Sequence, residues 1–154
     1  MKNFICVLFV FFSLFLSVKA DDIHDVKTFF DEFVDAANNY SADYFHYYSD
    51  DAKIIRVVEK PDGSEESVYI PLEKYRIEAK KSSKLARLRK YKNKYFNVNI
   101  FPKGEDFMVT AMRMPSTSNY KIPAFFVIGK DSNGNWKVKE ESMNTKVQRF
   151  LSKV

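Results

Sequence analysis

Apolar positions change their spacing several times along this chain, and each change marks an element. From Asp22 to Asn39, Ile23, Val26, Phe29, Phe30, Phe33, Val34 and Ala37 recur at helical spacing. Asp25, Lys27, Asp31, Glu32 and Asp35 face away, so the segment predicts an amphipathic helix. Asn38-Asn39 ends it. Ser41 is placed to cap a second, short helix through Tyr48, because a serine oxygen accepts from a free amide in the first turn. Ser49-Asp50-Asp51 closes that helix, and the pattern becomes extended. Ala52 to Glu59 is a β-branched run, Pro61-Asp62-Gly63-Ser64 is a tight turn, and Val68-Tyr69-Ile70 returns as the second strand of a hairpin. Pro71 suits the first position of a third helix, from Leu72 to Lys90, since its missing N–H costs nothing there.

The remainder alternates with period two. Phe96, Val98 and Ile100 are expected to share a face, and Pro102-Lys103-Gly104-Glu105 turns the chain. Phe107, Val109 and Ala111 then oppose Met108, Met112 and Met114 on the next strand. A third strand runs from Ile122 to Lys130, Asp131 to Asn135 is a turn, and a final strand covers Trp136 to Glu140, with a short tail through Phe150 and Leu151. Helices toward one end and antiparallel strands toward the other argue for an α+β fold.

The first residues follow a different logic. Met1-Lys2-Asn3 gives a positive start, Phe4 to Val18 is nearly unbroken apolar sequence, and Val18-Lys19-Ala20 offers small residues where signal peptidase reads. That order predicts a secretory signal peptide over residues 1–20, with a domain over 21–154, and hence a secreted or periplasmic protein. The apolar run falls short of the roughly 20 residues a membrane span needs. Cys6, the one cysteine, lies inside the run, so cleavage after Ala20 would leave no thiol for disulfides, metal sites or nucleophilic catalysis. With 15 Phe, 9 Tyr and only 4 Gly among 154 residues, the chain can bury a sizeable core. A net charge of +5 favours acidic partners only weakly.

The stretch Ala36-Ala37-Asn38-Asn39-Tyr40-Ser41-Ala42-Asp43-Tyr44-Phe45-His46-Tyr47-Tyr48-Ser49-Asp50-Asp51-Ala52 resembles the NTF2-like superfamily, the cone-shaped fold of SnoaL-like and ketosteroid-isomerase-like proteins. Ile70-Pro71-Leu72-Glu73-Lys74-Tyr75 and the closing Gly134-Asn135-Trp136-Lys137-Val138 fit the same likeness. The resemblance implies three N-terminal helices packed against a strongly bent, mainly antiparallel sheet, a pocket between them, and a homodimer through the sheet.

In isomerase-like members the catalytic carboxylate sits early in the first strand. Counting from Ala52 places that site near Ile55 or Arg56, where there is no carboxylate. A guanidinium cannot act as a general base, so no catalytic residue is assigned. Arg56 is either an anion-binding group in the pocket or, the commoner situation for a strand arginine, an outward-facing side chain. Tyr40, Tyr44, Tyr48, Arg56, Tyr75 and Phe126 are the candidate pocket residues, because tyrosine joins an apolar face to a hydroxyl. Tyr69 and Phe125 are expected near the same cavity, and core packing is the plainer role for each aromatic. His46 lies near Asp43 and Asp50, but no spacing suits a metal or cofactor, and none is expected.

Lys80 to Lys94 carries Lys80, Lys81, Lys84, Arg87, Arg89, Lys90, Lys92 and Lys94 and no acid. Lys80, Lys84, Arg87 and Lys90 would form a basic surface, most simply a solvated helix face, otherwise one that meets anionic headgroups or polyanions. Without aromatic interleaving, nucleic acid is not an expected partner. Membrane contact is expected only through the signal peptide before cleavage. The expected function is non-catalytic binding of a small apolar ligand or a protein partner. A small pocket enzyme of isomerase, dehydratase or hydrolase type, and a basic-surface binder of the envelope or polyanions, are the alternatives.

Overall fold

The computed structural model describes residues 21–151; the expected signal peptide lies outside the described residues. Helix α1 (residues 21–38) lays Val26, Phe30 and Phe33 into the core at the i, i+4, i+7 spacing read from sequence. Tyr40 ends it in the left-handed region (φ 55°), and the Ser41 amide donates back to the Ala36 carbonyl at 3.0 Å, closing the last turn. A short 3-10 helix, Ala42–Tyr47, follows, with the Ser41 hydroxyl accepting from the Asp43 amide at 3.2 Å.

Strand β1 (Tyr48–Glu59) begins four residues earlier than the sequence pattern indicated. Ser49-Asp50-Asp51 is therefore strand and not the close of the second helix, because Tyr48 already pairs with Val138 on the last strand. β2 (Glu65–Ile70) returns as the expected hairpin, and α2 (Leu72–Leu88) follows with Pro71 as the residue before its first turn. α2 stops before Lys90, which takes φ 50° while the Tyr91 amide donates to the Ala86 carbonyl at 2.9 Å. Then come β3 (Asn93–Lys103), β4 (Asp106–Pro115), β5 (Ile122–Lys130) and β6 (Trp136–Thr145), the last extending five residues past Glu140. A 3-10 turn, Gln148–Phe150, closes the described chain.

The architecture is α+β. One six-stranded sheet has the order β2-β1-β6-β5-β4-β3, antiparallel except where β1 and β6 run parallel. The expected grouping of three helices at the N-terminus is corrected in two respects. The second is a 3-10 helix, and the third lies after the β1–β2 hairpin, where it can cover the sheet beside β2.

One sheet face carries the core: Ile54, Val58, Val68, Val109, Ala124, Phe126, Ile128 and Val138 are all buried. Two bulges shift which residues face it. Between Phe96 and Asn99 the register slips, with Asn97 at φ 52°, so Tyr95, Val98 and Ile100 pack inward. Phe96 pairs with Met112 and lies under Lys121 on the other face, so it does not share a face with Val98 and Ile100. A second slip, between Val127 and Ile128, sets Ile128 against Val138 and Phe126 against Glu141.

Candidate functional site

Strand alternation in β1 puts Arg56 on the same face as the buried Ile54 and Val58. Arg56 is therefore an inward side chain, only 7 % exposed, and the outward-facing reading is corrected. Its partner comes from the far end of the chain. The β1–β6 register sets Ile54 against Glu141 and Arg56 against Met143, which brings Glu141 diagonally alongside Arg56. Arg56 Nη2 donates to Glu141 Oε1 at 2.7 Å, and Glu141 has no exposed surface. The Tyr48 hydroxyl donates to the other oxygen, Oε2, and Tyr44 and Tyr48 share a hydroxyl–hydroxyl bond of 2.6 Å. Arg56 Nη1 donates to the Ile55 carbonyl at 2.9 Å, while the guanidinium carbon lies 5.3 Å from the centre of the Tyr75 ring.

This is how a buried charge pair becomes tolerable: each ion faces its opposite, a phenol donates to the second carboxylate oxygen, and a backbone carbonyl accepts from the guanidinium. Burial is the largest single influence and would lower the Arg56 pKa, but the Glu141 charge and hydrogen bond, with Tyr75 and Tyr48, together hold the group above its ordinary value. Burial, and then the Glu141 charge, pushes the phenols of Tyr48, Tyr75 and Tyr95 upward. Tyr44 is pushed well above its ordinary value by burial first, then by Tyr75 and Glu141.

Aromatic rings fill the space around the pair. Phe33 stacks on Tyr44 at 5.3 Å, and Phe30 meets Phe126 at 5.1 Å and Tyr95 at 5.5 Å, both edge-on. Of the six candidate pocket residues, Tyr44, Tyr48 and Arg56 thus form a closed buried network, and Phe126 is core. Tyr40 does something else. Its hydroxyl donates to the Tyr91 carbonyl at 2.7 Å, and Arg87 reaches back to the Tyr40 carbonyl at 3.4 Å, tying the end of α1 to the end of α2.

Tyr75 is the candidate that also lines an open cavity. A cleft of about 420 Å³ lies between β2, α2 and the closing 3-10 turn. Val68, Ile70, Tyr75, Ala79 and Phe150 supply its apolar walls. Lys74, Lys81 and Arg149 line it too, against one carboxylate, Glu78. Tyr69 reaches this cleft, whereas Phe125 projects from the opposite sheet face, 41 % exposed, and is not near it.

The sequence reading did not single out Glu141 or Tyr95. Alternation counted from Val138 would turn Glu140 inward, and the bulge hands that place to Glu141. One signal was present: Arg56 has the same strand parity as Ala52, Ile54 and Val58, so a buried arginine required a buried acid somewhere in the chain. His46 and Asp43 approach to 3.8 Å, both highly exposed. Among the described residues, no group of three or more His, Cys, Asp or Glu side chains comes together as a metal site.

This arrangement of helices on one face of a six-stranded sheet is the NTF2-like fold. An NTF2-like protein with a cystatin-like fold from Novosphingobium aromaticivorans superposes with TM-score 0.60 at 8 % identity, over 81 % of this chain and 82 % of that one. An NTF2-like protein from Cytophaga hutchinsonii gives TM-score 0.55 at 18 % identity, over 82 % and 97 %. The CaMKII hub of S. rosetta gives 0.54 at 15 %, over 77 % and 92 %. No protein-family model matches the chain, and no curated protein matches it. At these identities the likeness is one of fold, and function must be argued from the site.

Proposed function

We propose that this chain is a non-catalytic binding domain whose cleft between α2 and β2 holds a small apolar ligand with an anionic head. The observation that carries this reading is the cleft itself. Its volume of about 420 Å³ falls within the ordinary range for small-molecule sites. Apolar walls from Val68, Ile70, Tyr75 and Ala79 suit the body of a ligand, and an excess of cations over Glu78 suits a carboxylate or sulfonate. The interior supports a binding role over an enzymatic one. Glu141 has no exposed surface and is held by Arg56 and the Tyr48 hydroxyl, so its carboxylate does not face the cleft or solvent as a general base would. Export belongs to the same proposal, resting on the charge, apolar run and small-residue order of residues 1–20.

Titration with an aromatic sulfonate dye, followed by displacement with a medium-chain alkyl carboxylate, tests the cleft. Ala79→Trp fills it from the α2 side and should weaken dye binding about tenfold or more. Equal binding by the variant, or no carboxylate displacement, would overturn the reading.

A second reading, a homodimer through the sheet, is favoured by the outer face. There Phe125 is 41 % and Phe101 48 % exposed, and the register places them beside Met108, Thr110 and Val127.

A further inference from the structure

Helix α2 spans 17 residues, about 26 Å of helix, yet Leu72 at its first position is its one buried residue. A surface helix ordinarily turns its apolar residues toward the core. Here three of them do not: Ile77 is 45 %, Leu85 48 % and Leu88 78 % exposed. At 100° per residue these three fall within one sector about 80° wide, with Lys81 inside it, Lys84 and Glu78 just beyond its two edges, and Lys80 further round on the Lys84 side; Lys81 pairs with Glu78 at 3.3 Å. Tyr75 and Ala79 occupy the opposite side, toward the cleft and the sheet. The outer side of α2 is thus an apolar strip set among lysines.

Charge extends the same surface. Between Lys80 and Lys94 there are eight cationic side chains and no acid, and all but Tyr91, Asn93 and Ala86 of the residues from Lys80 to Lys94 are highly exposed. A solvated basic face would not need Leu88 and Leu85 to stand in water. A polyanion chain would be met by the lysines alone and would offer the leucines nothing. A bilayer with anionic headgroups suits both parts, because phosphates meet the lysines while short aliphatic side chains enter the headgroup–acyl boundary.

We infer that the outer face of α2 docks the protein, lying flat, on an anionic membrane surface. Ile77, Leu85 and Leu88 insert shallowly. Lys80, Lys81, Lys84 and the basic residues that follow supply the electrostatic attraction. No helix among the described residues is long and apolar enough to cross a membrane, so this contact is peripheral. Apart from Lys81, which also lines the cleft, it uses the side of α2 turned away from the cleft, and the apolar insertion does not depend on what the cleft holds.

The test uses the full chain with Cys6→Ser and an environment-sensitive fluorophore attached through Leu88→Cys, and a control with the label at Asn133, in the exposed β5–β6 turn. Mixed with phosphatidylcholine vesicles containing phosphatidylglycerol, the label at position 88 should shift to the blue, and the label at 133 should not. This separates α2 docking from any anchoring by residues 1–20. The shift should vanish in pure phosphatidylcholine. It should also fade between about 0.1 and 1 M salt, as the screening length falls from about 10 to about 3 Å. Leu85→Ser should weaken binding about tenfold, and Lys80→Glu/Lys84→Glu should abolish it, with cooperative thermal unfolding retained in each. The inference is overturned if position 88 shows no shift on anionic vesicles. It is equally overturned if the Leu85→Ser variant binds as tightly as the parent, the result expected of a polyanion site.

Discussion

Removing one member of the buried ion pair should cost far more stability than removing both. Arg56 and Glu141 are 7 % and 0 % exposed and meet at 2.7 Å, so Arg56→Met leaves a buried carboxylate and Glu141→Leu leaves a buried guanidinium. A stranded charge of this kind costs about 3–5 kcal/mol, against a total stability of about 5–15 kcal/mol for a domain. The double variant Arg56→Met/Glu141→Leu strands no ion. It leaves the Tyr48 hydroxyl with Tyr44 as its remaining partner and takes one donor from the Ile55 carbonyl, a loss of about 1–3 kcal/mol. The coupling between the two sites should therefore be at least about 3 kcal/mol. Urea unfolding can be followed through Trp136, the chain's one tryptophan, which packs 5.8 Å from Phe107. With a urea slope of about 1.5 kcal/mol per molar, each single variant should lower the midpoint by about 2–3 M, and the double by less than either. Single variants that shift the midpoint by less than about 0.5 M, or a double variant equal to their sum, would refute this account of the interior.

The buried phenols predict a steep alkaline limit. Tyr44, Tyr48, Tyr75 and Tyr95 all titrate above the ordinary phenol value when folded, so the unfolded chain loses these protons first. Their contribution is complete below about pH 10 and falls above it, by up to about 1.4 kcal/mol per pH unit per tyrosine. Tyrosinate absorbance should rise together with unfolding, Tyr48→Phe should make the decline shallower by about one proton, and stability that stays flat to about pH 11 would contradict it. A Cβ on Gly129 would sit 1.8 Å from Asp106 Oδ1 and 2.7 Å from Lys139 Nζ. Gly129→Ala should therefore displace that half-exposed ion pair and cost about 1 kcal/mol, read as a small fall in the unfolding midpoint; an unchanged midpoint would show that the pair moves aside freely. On the outer sheet face, Phe125→Lys should convert a homodimer to monomer in sedimentation velocity. A wild-type protein that stays monomeric at high concentration would remove the dimer reading.

Much of the fold was legible because local chemistry and tertiary context agree. The α1 apolar stripe, the Ser41 cap and the Pro61 to Ser64 turn all specify what forms. The Asp131 turn is another case: its carboxylate accepts from the Asn133 and Asn135 amides at 2.9 Å, and the Asn135 amide foremost holds its pKa below the usual range. What was missed depends on long-range pairing. Asp50 and Asp51 are poor strand formers, yet β1 reaches back through them because Tyr48 pairs with Val138, ninety residues on. Phe96 and Glu141 each exchanged faces through a bulge, and a period-two pattern cannot register the extra residue. The site suffered from the same cause. Ile55 and Val57 are as apolar as Ile54 and Val58, so alternation alone could not tell which face of β1 is interior, and Arg56 was left open. Tyr44, Tyr48 and Tyr75 were legible as aromatics with a polar role, but not as donors and neighbours of an acid from the last strand.

The central claim is that the cleft between α2 and β2 is a ligand site, and native mass spectrometry of the protein purified from cells that express it tests it most directly. The account predicts a retained small molecule with an apolar body and an acidic group, present in the wild type and absent in Ala79→Trp. A wild-type mass with no bound molecule, or a ligand retained equally by the filled-cleft variant, would contradict it.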